Sequence, residues 1–214
     1  MTVKNILKTS LVLIITLNWS SCLVDEHKNI VPQCEIQANG LSRAINELVP
    51  ENILAEMRAL NMPINTGGSP PIIDNSTFKG SPFILLSSTI PNDKIGGQFD
   101  DMIVSFNQQD NNKLSLIVDY ENGFAKGKGL GSFIAGNGND FSIFAKIDVE
   151  STQQVAGIKA KSVYVFSGTL TPTGIKNFHA ALFMVDDAGD PNNIWIENGQ
   201  GRVVYDKDGF SEKL

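Results

Sequence analysis

Residues 140–149, DFSIFAKIDV, decide the fold class of this chain. Every second side chain of this stretch is apolar: Phe141, Ile143, Ala145, Ile147 and Val149. Successive side chains of a β-strand point to opposite faces, so a period of two is typical of a strand with one buried face. The stretch is therefore predicted to be a β-strand, and the same pattern identifies others.

The alternation recurs on both sides of this strand and predicts eight strands in all. Turn clusters separate them, for example Glu121-Asn122-Gly123 and Gly136-Asn137-Gly138-Asn139. Such residues supply the positive φ angles of tight hairpins, and short loops favour antiparallel neighbours. The predicted strands are 83–88, 99–108, 113–121, 125–135, 140–149, 157–170, 174–186 and 202–206.

Eight antiparallel strands with short loops are most economically arranged as an up-and-down β-barrel, similar to the calycin or lipocalin-like class. The alternative for this mainly β chain is a β-sandwich. Asn75-Ser76-Thr77-Phe78 stands where lipocalins carry Gly-x-Trp, so the resemblance is to the wider barrel class and implies no lipocalin ligand. Large apolar residues dominate the inward positions, which predicts a filled interior or a narrow cavity.

Helix signals precede the strands, in residues 41–61. Ser42 is predicted to cap a first short helix, and Pro50 to be the first residue of a second. Asn61 is expected to end the second helix in a left-handed turn. Both faces of strand 174–186 are apolar, so the apolar stripe of the helix is predicted to cover one of them. That stripe consists of Ile53, Leu54, Met57 and Leu60.

The first 21 residues have the layout of a secretory signal peptide. Two lysines precede the apolar run 11–17, LVLIITL, which is too short to span a bilayer. Ser20-Ser21-Cys22 resembles the lipobox of bacterial lipoproteins of the Bacteroidota, in which cleavage precedes the cysteine and acyl chains are attached to it. The following Asp25-Glu26 resembles the surface-export signal of that phylum. The resemblance implies lipidation at Cys22 and an outer-membrane or cell-surface location.

Three segments are expected along the chain. Residues 1–21 are the signal peptide, residues 22–40 a flexible tether, and residues 41–214 a single β-barrel domain with N-terminal helices. The connector at 62–73, with its MPI, Gly-Gly and Pro-Pro elements, is similar to that of uncharacterised Bacteroidota lipoproteins, in which a helix, this connector and a barrel follow one another. These shared motifs are structural and imply no chemistry.

The charge balance excludes a nucleic-acid partner. The chain has 17 Lys and Arg against 23 Asp and Glu, a formal net charge of −6. Phosphate binding needs clustered basic residues, which are missing from this sequence. Removal of residues 1–21 takes away two lysines and no acidic residue, which leaves a formal charge of −8. Contact with the lipid bilayer is therefore expected only through the acylated Cys22.

Two motifs resemble ligand loops but are predicted to be structural. Gly127, Gly129 and Gly131 have the spacing G-x-G-x-G inside a strand, whereas a phosphate loop needs G-x-G-x-x-G and a following helix. We expect them to allow a neighbouring strand to approach closely. The acidic motif at 206–212 lacks the first and last ligands of a calcium loop, and it is expected to be solvated, like the cluster of Asp residues in the turn at 186–190.

Cys34 and His179 are the remaining candidates for chemistry. With Cys22 acylated, Cys34 is expected to be a free thiol or to pair between molecules. His179 lies on an apolar strand face, where it is either a hydrogen-bonded core residue or a weak candidate for ligand binding. No catalytic residue, metal ligand or cofactor is predicted. The expected function is a non-catalytic binding module whose barrel holds or presents a small or extended ligand at its open end; the alternative is a structural or accessory surface lipoprotein that contacts a protein partner.

Overall fold

The computed structural model describes residues 33–152 and 157–214. Within these residues, two short helices precede twelve strands. The helices are α1 (Arg43–Leu48) and α2 (Glu51–Ala59). The strands are β1 (Gly68–Ser69), β2 (Ser76–Gly80), β3 (Phe83–Ser88), β4 (Gln98–Phe99), β5 (Met102–Asp110), β6 (Ser115–Asn122), β7 (Ala125–Asn137), β8 (Asp140–Ser151), β9 (Lys159–Thr171), β10 (Gly174–Asp186), β11 (Gly201–Asp206) and β12 (Phe210–Lys213).

Eight of these strands form a closed antiparallel ring. Its order is β2-β5-β6-β7-β8-β9-β10-β12, and β12 closes it by pairing with both β10 and β2. From β5 to β10, each strand pairs with the next one in the sequence. The predicted antiparallel, up-and-down, eight-stranded barrel is confirmed.

A branch of three strands leaves the ring at one end. Strand β10 pairs with β12 through residues 174–176 and with β11 through residues 179–183. Strand β11 then pairs with β3, and β3 with β4, while β5 stays with β2. The sheet therefore divides beside β10, with β12 in the ring and β11, β3 and β4 in the branch.

The first and last strands of the ring differ from the sequence prediction. The predicted strands 83–88 and 202–206 are β3 and β11 of the branch, whereas β2 and β12 close the ring. Pro82, which cannot donate a ladder hydrogen bond, separates β2 from β3. Gly209, with φ of 77°, separates β11 from β12. These interruptions divide two long strands into short pieces, and the pieces β2 and β12 have few apolar side chains.

The helices cover the outside of the barrel, as predicted. The Oγ of Ser42 caps α1 by accepting a hydrogen bond from the N–H of Ile45 at 3.3 Å. Pro50 is the N-cap of α2 and not its first residue, while Asn61 has the expected left-handed φ of 61°.

We call the buried cluster between the helical segment and the sheet the outer core. It consists of Leu41, Ile45, Val49, Leu54, Met57, Met62, Ala135, Phe144, Val163, Val165, Ala181, Phe183 and Val203.

A bulge in β10 changes which residues share a face. The pairing of β10 with β9 shifts between Lys176 and His179, around Asn177 with φ of 52°. Ile175, expected on the face of Ala181, consequently belongs to the interior cluster of the barrel. The helices therefore meet only the part of β10 that follows the bulge.

The described part of the predicted tether contacts the barrel domain. The N–H of Arg43 donates to the carbonyl of Glu35 at 2.9 Å, and the N–H of Gly67 to that of Gly40 at 2.8 Å. Ile36 also forms a β-bridge with Ser42. Residues 33–40 are thus held by backbone hydrogen bonds, and residues 22–32 lie outside the described part.

Candidate functional site

Aromatic side chains fill the barrel interior away from the branch. Phe106 lies edge-on to both Phe141 and Phe166, with ring centroids 6.4 and 6.1 Å apart. Phe166 stacks on Phe178 at 6.1 Å, with an interplanar angle of 9°. Ile73 of the connector is 1% exposed and packs against the same interior cluster. This part of the barrel is a packed core, in line with the predicted filled interior.

The branched end of the barrel contains a cavity of about 390 Å³. Its walls come from β3, β4, β5, β6, β7, β9, β10 and β11, and the loop at 187–200 covers it. Pockets for small molecules have volumes of roughly 300–1,000 Å³ and mostly apolar walls. The apolar lining residues include Phe83, Met102, Phe124, Leu182, Met184 and Trp195. We therefore treat this cavity as the candidate binding site.

Two tyrosines form the polar floor of the cavity. Tyr120 and Tyr164 line it, and their ring centroids lie 4.8 Å apart. Burial raises the pKa of Tyr120 to about 12, and burial together with the nearby Tyr120 raises the pKa of Tyr164 well above its usual value. Both hydroxyls therefore stay protonated near neutral pH and can donate hydrogen bonds.

A bidentate ion pair borders the cavity. Arg202, which lines it, donates from Nε and Nη2 to the two carboxylate oxygens of Asp93 at 2.7 and 2.9 Å. Its hydrogen bond holds the pKa of Asp93 below the usual value, and the Ser88 hydroxyl adds to this effect. The guanidinium carbon also lies 5.6 Å from the ring centroid of Phe99. The pair fixes the loop after β3 against β11 and leaves no net charge there.

The covering loop is held by its own acidic residues. The N–H of Trp195 donates to Oδ2 of Asp190 at 2.6 Å, and the Trp195 ring lies edge-on to Phe124 at 5.5 Å. Asp186 and Asp187 accept hydrogen bonds from the N–H groups of Ala188 and Gly189, both at 2.9 Å. Across the described ranges, no group of three or more His, Cys, Asp or Glu side chains could hold a metal ion. These carboxylates shape the turn that places Trp195 over the cavity.

His179 lies on the outer face of the barrel, beside Tyr205 of β11. Its Nδ1 is 2.8 Å from the carbonyl oxygen of Asn177. Its strand neighbours Phe178 and Ala180 point into the barrel, so His179 points away from the cavity. The weak candidate from the sequence does not contribute to this site.

Cys34 is not the expected free thiol, because it is disulfide-bonded in the structure. It is partly buried and packs against the interior cluster. The lipidation site Cys22 lies outside the described residues. Since the chain has two cysteines, acylation of Cys22 is compatible with a disulfide of Cys34 only if that disulfide joins two molecules.

The glycine motif has the structural role predicted from its spacing. A Cβ at Gly127 would lie 2.6 Å from the backbone oxygen of Asp148 on β8. Gly131 has a left-handed φ of 71° and lies where the pairing of β7 with β8 shifts. The first glycine permits close strand approach and the last a bulge.

Asp206 is a buried carboxylate at the junction of β11 and β12. It is 1% exposed, and its Oδ2 accepts a hydrogen bond from the Ser211 hydroxyl at 2.6 Å. Its Oδ1 is buried without a hydrogen-bond partner in the described part of the chain. Burial raises the pKa of Asp206, and the hydrogen bond from Ser211 opposes this shift.

Replacing Asp206 with Asn should therefore change the pH dependence of stability. A raised pKa means that the folded state binds the proton more tightly, so the contribution of Asp206 to stability is greatest below its ordinary value near 4 and is lost as the pH rises through the raised value. We expect Asp206→Asn to be the more stable protein by about 1–3 kcal/mol at pH 8, with a smaller gap at pH 4. Urea unfolding of both proteins at pH 8, 6 and 4 measures this gap. A gap that does not vary with pH would show that Asp206 is not a strained carboxylate.

Comparisons with known proteins found no matching family model, curated protein or solved structure. Among residues 33–152 and 157–214, no helix has the length and apolar character needed to cross a membrane.

The sequence identified only part of this site. Alternation in the predicted strand 113–121 puts Tyr120 on the same face as Leu116 and Val118, but no local pattern links Tyr120 to Tyr164, Trp195 or Arg202. Tyr164 and Arg202 reach the cavity because of the strand order and the branch, which are long-range features. The one local signal of the cavity is Arg202, a charged residue at the start of the strand Gly201–Asp206.

Proposed function

We propose that this protein is a lipid-anchored, non-catalytic binding module whose barrel holds a small apolar molecule. The cavity at the branched end carries the proposal, because it combines an apolar wall, a few convergent polar groups and a cover from one loop. The packed aromatic interior of the barrel lies beneath the cavity and its two tyrosines. The anchor belongs to the same proposal, since the Cys22 lipobox would keep this module at the outer membrane or cell surface.

Binding can be tested with the neutral dye N-phenyl-1-naphthylamine, whose fluorescence increases in apolar surroundings. We expect saturable binding of one dye per chain, with quenching or energy transfer at the nearby Trp195. Non-saturable fluorescence, equal to that of the urea-unfolded chain, would contradict a binding cavity. That result would favour the alternative of a structural or accessory lipoprotein.

Lipidation can be tested separately, with Cys22→Ala. We expect the wild-type protein to sediment with membranes and to carry the mass of acyl chains on Cys22, because several buried acyl chains anchor durably. The variant should move to the soluble fraction. Cys34→Ala is the matched control and should remain bound. If the mass instead shows an unmodified Cys22 oxidised to Cys34, the lipoprotein proposal is wrong.

A further inference from the structure

We infer that the cavity selects a neutral, mainly apolar molecule that carries a hydrogen-bond acceptor, such as a ketone or ester carbonyl, and discriminates against the matching carboxylate. The inference rests on the proposed function and adds the chemical class of the ligand. Three features of the cavity support it: the apolar wall, the balance of its charges, and the kind of hydrogen-bonding groups left unused.

The charges of the cavity disfavour an anion. Arg202 is the one cationic residue among the described residues that line it, and its Nε and Nη2 already bind Asp93. Asp100, on the exposed rim, is the one carboxylate among the described residues that line the cavity. A carboxylate ligand would lose its water and meet no uncompensated positive charge, which is costly in an apolar site. A neutral molecule avoids this cost.

The unused polar groups of the cavity are donors. The protonated hydroxyls of Tyr120 and Tyr164 hold two hydrogens, and a bond between the two hydroxyls uses only one of them. Asn122 also lines the cavity, but its Oδ1 already accepts from the N–H groups of Phe124 and Ala125 at 2.9 and 2.7 Å. The remaining hydroxyl hydrogen can be donated to an acceptor on the ligand.

The covering loop supplies a further donor. The indole Nε1 of Trp195 is buried and has no hydrogen-bond partner in the described part of the chain. Leaving a buried donor unpaired costs free energy that a hydrogen bond from the ligand would recover. A carbonyl between the loop and the tyrosines fits this distribution, because an oxygen with two lone pairs can accept from both sides.

The test uses the full chain with Trp19→Phe, so that Trp195 is its only tryptophan. Displacement of N-phenyl-1-naphthylamine by 2-decanone and by decanoate is measured at pH 8, where decanoate is ionised. We expect 2-decanone to bind at least tenfold more tightly than decanoate. Decanoate binding equal to or tighter than 2-decanone would overturn the inference and leave the proposed function standing, whereas failure of the dye itself to bind would overturn the proposed function.

Two sets of variants assign the effect to its causes. The double variant Tyr120→Phe and Tyr164→Phe should weaken 2-decanone binding about three- to tenfold, since it removes the donors and keeps the rings. Tyr205→Phe on the outer face is the matched control and should change nothing. Asp93→Asn leaves Arg202 without its counter-ion and should shift the preference between the two ligands about tenfold toward decanoate. Unchanged preference in both sets would contradict the assigned roles.

Discussion

Replacing Met57 with Asp should lower the free energy of unfolding by about 3–5 kcal/mol. The Met57 side chain is 0% exposed and lies in the outer core, together with Leu54 of the same helix and Phe183 of β10. Every member of this cluster is apolar, so a carboxylate there would have no cation or hydrogen-bond donor from a side chain. The folded variant would have to bury the charged carboxylate, protonate it, or let α2 detach from the sheet.

Urea unfolding followed by circular dichroism measures this loss. Ala55→Asp is the matched control, because Ala55 lies on the exposed side of the same helix. We expect its midpoint to stay close to that of the wild type, within about 0.5 kcal/mol. An unchanged midpoint for Met57→Asp would mean that α2 is not docked on the barrel, and its apolar stripe would then be free for a partner.

Replacing Ala180 with Phe should reduce dye binding by about a hundredfold or abolish it. Ala180 is 2% exposed, belongs to the interior cluster and lines the cavity. A benzyl group at this position would occupy the space between Phe83 and Tyr164 that the ligand needs. Overpacking usually costs about 1–3 kcal/mol, and a cavity of about 390 Å³ leaves room to limit that cost.

Dye titration and thermal unfolding of the same sample separate blocked binding from unfolding. Ala55→Phe makes the same chemical change on the solvent side of α2 and should bind the dye as the wild type does. If Ala180→Phe remains folded and keeps its affinity, the dye binds elsewhere and the cavity is not the site.

Local sequence patterns predicted the middle of this barrel well. From Met102 to Asp186 the strands are long, alternate over most of their length and are mostly joined by turns that contain Asn, Asp or Gly, so period and turn chemistry agree. The capping of α1 by Ser42 and the left-handed Asn61 are also local features. Each depends on a few neighbouring residues, which is why the sequence alone indicated them.

Long-range pairing determined what the sequence could not predict. The ring closes through β2 and β12, which have five and four residues and only one large apolar side chain each, too few to be recognised as strands. The bulge at Asn177 moves Ile175 to the other face of the strand, and no glycine at the bulge indicates it in the sequence. The cavity itself exists because β3 and β11 leave the ring together, and no single segment encodes that divergence.

Crystallographic density in the cavity of protein purified from its native membrane tests the central claim most directly. A ligand-binding barrel should show continuous density between Trp195 and the Tyr120–Tyr164 pair, with an oxygen within about 3.2 Å of a tyrosine hydroxyl. The identity of that molecule can be confirmed by mass spectrometry of the extracted sample. A cavity that holds only ordered water, in protein that also fails to bind the neutral dye, would contradict the claim.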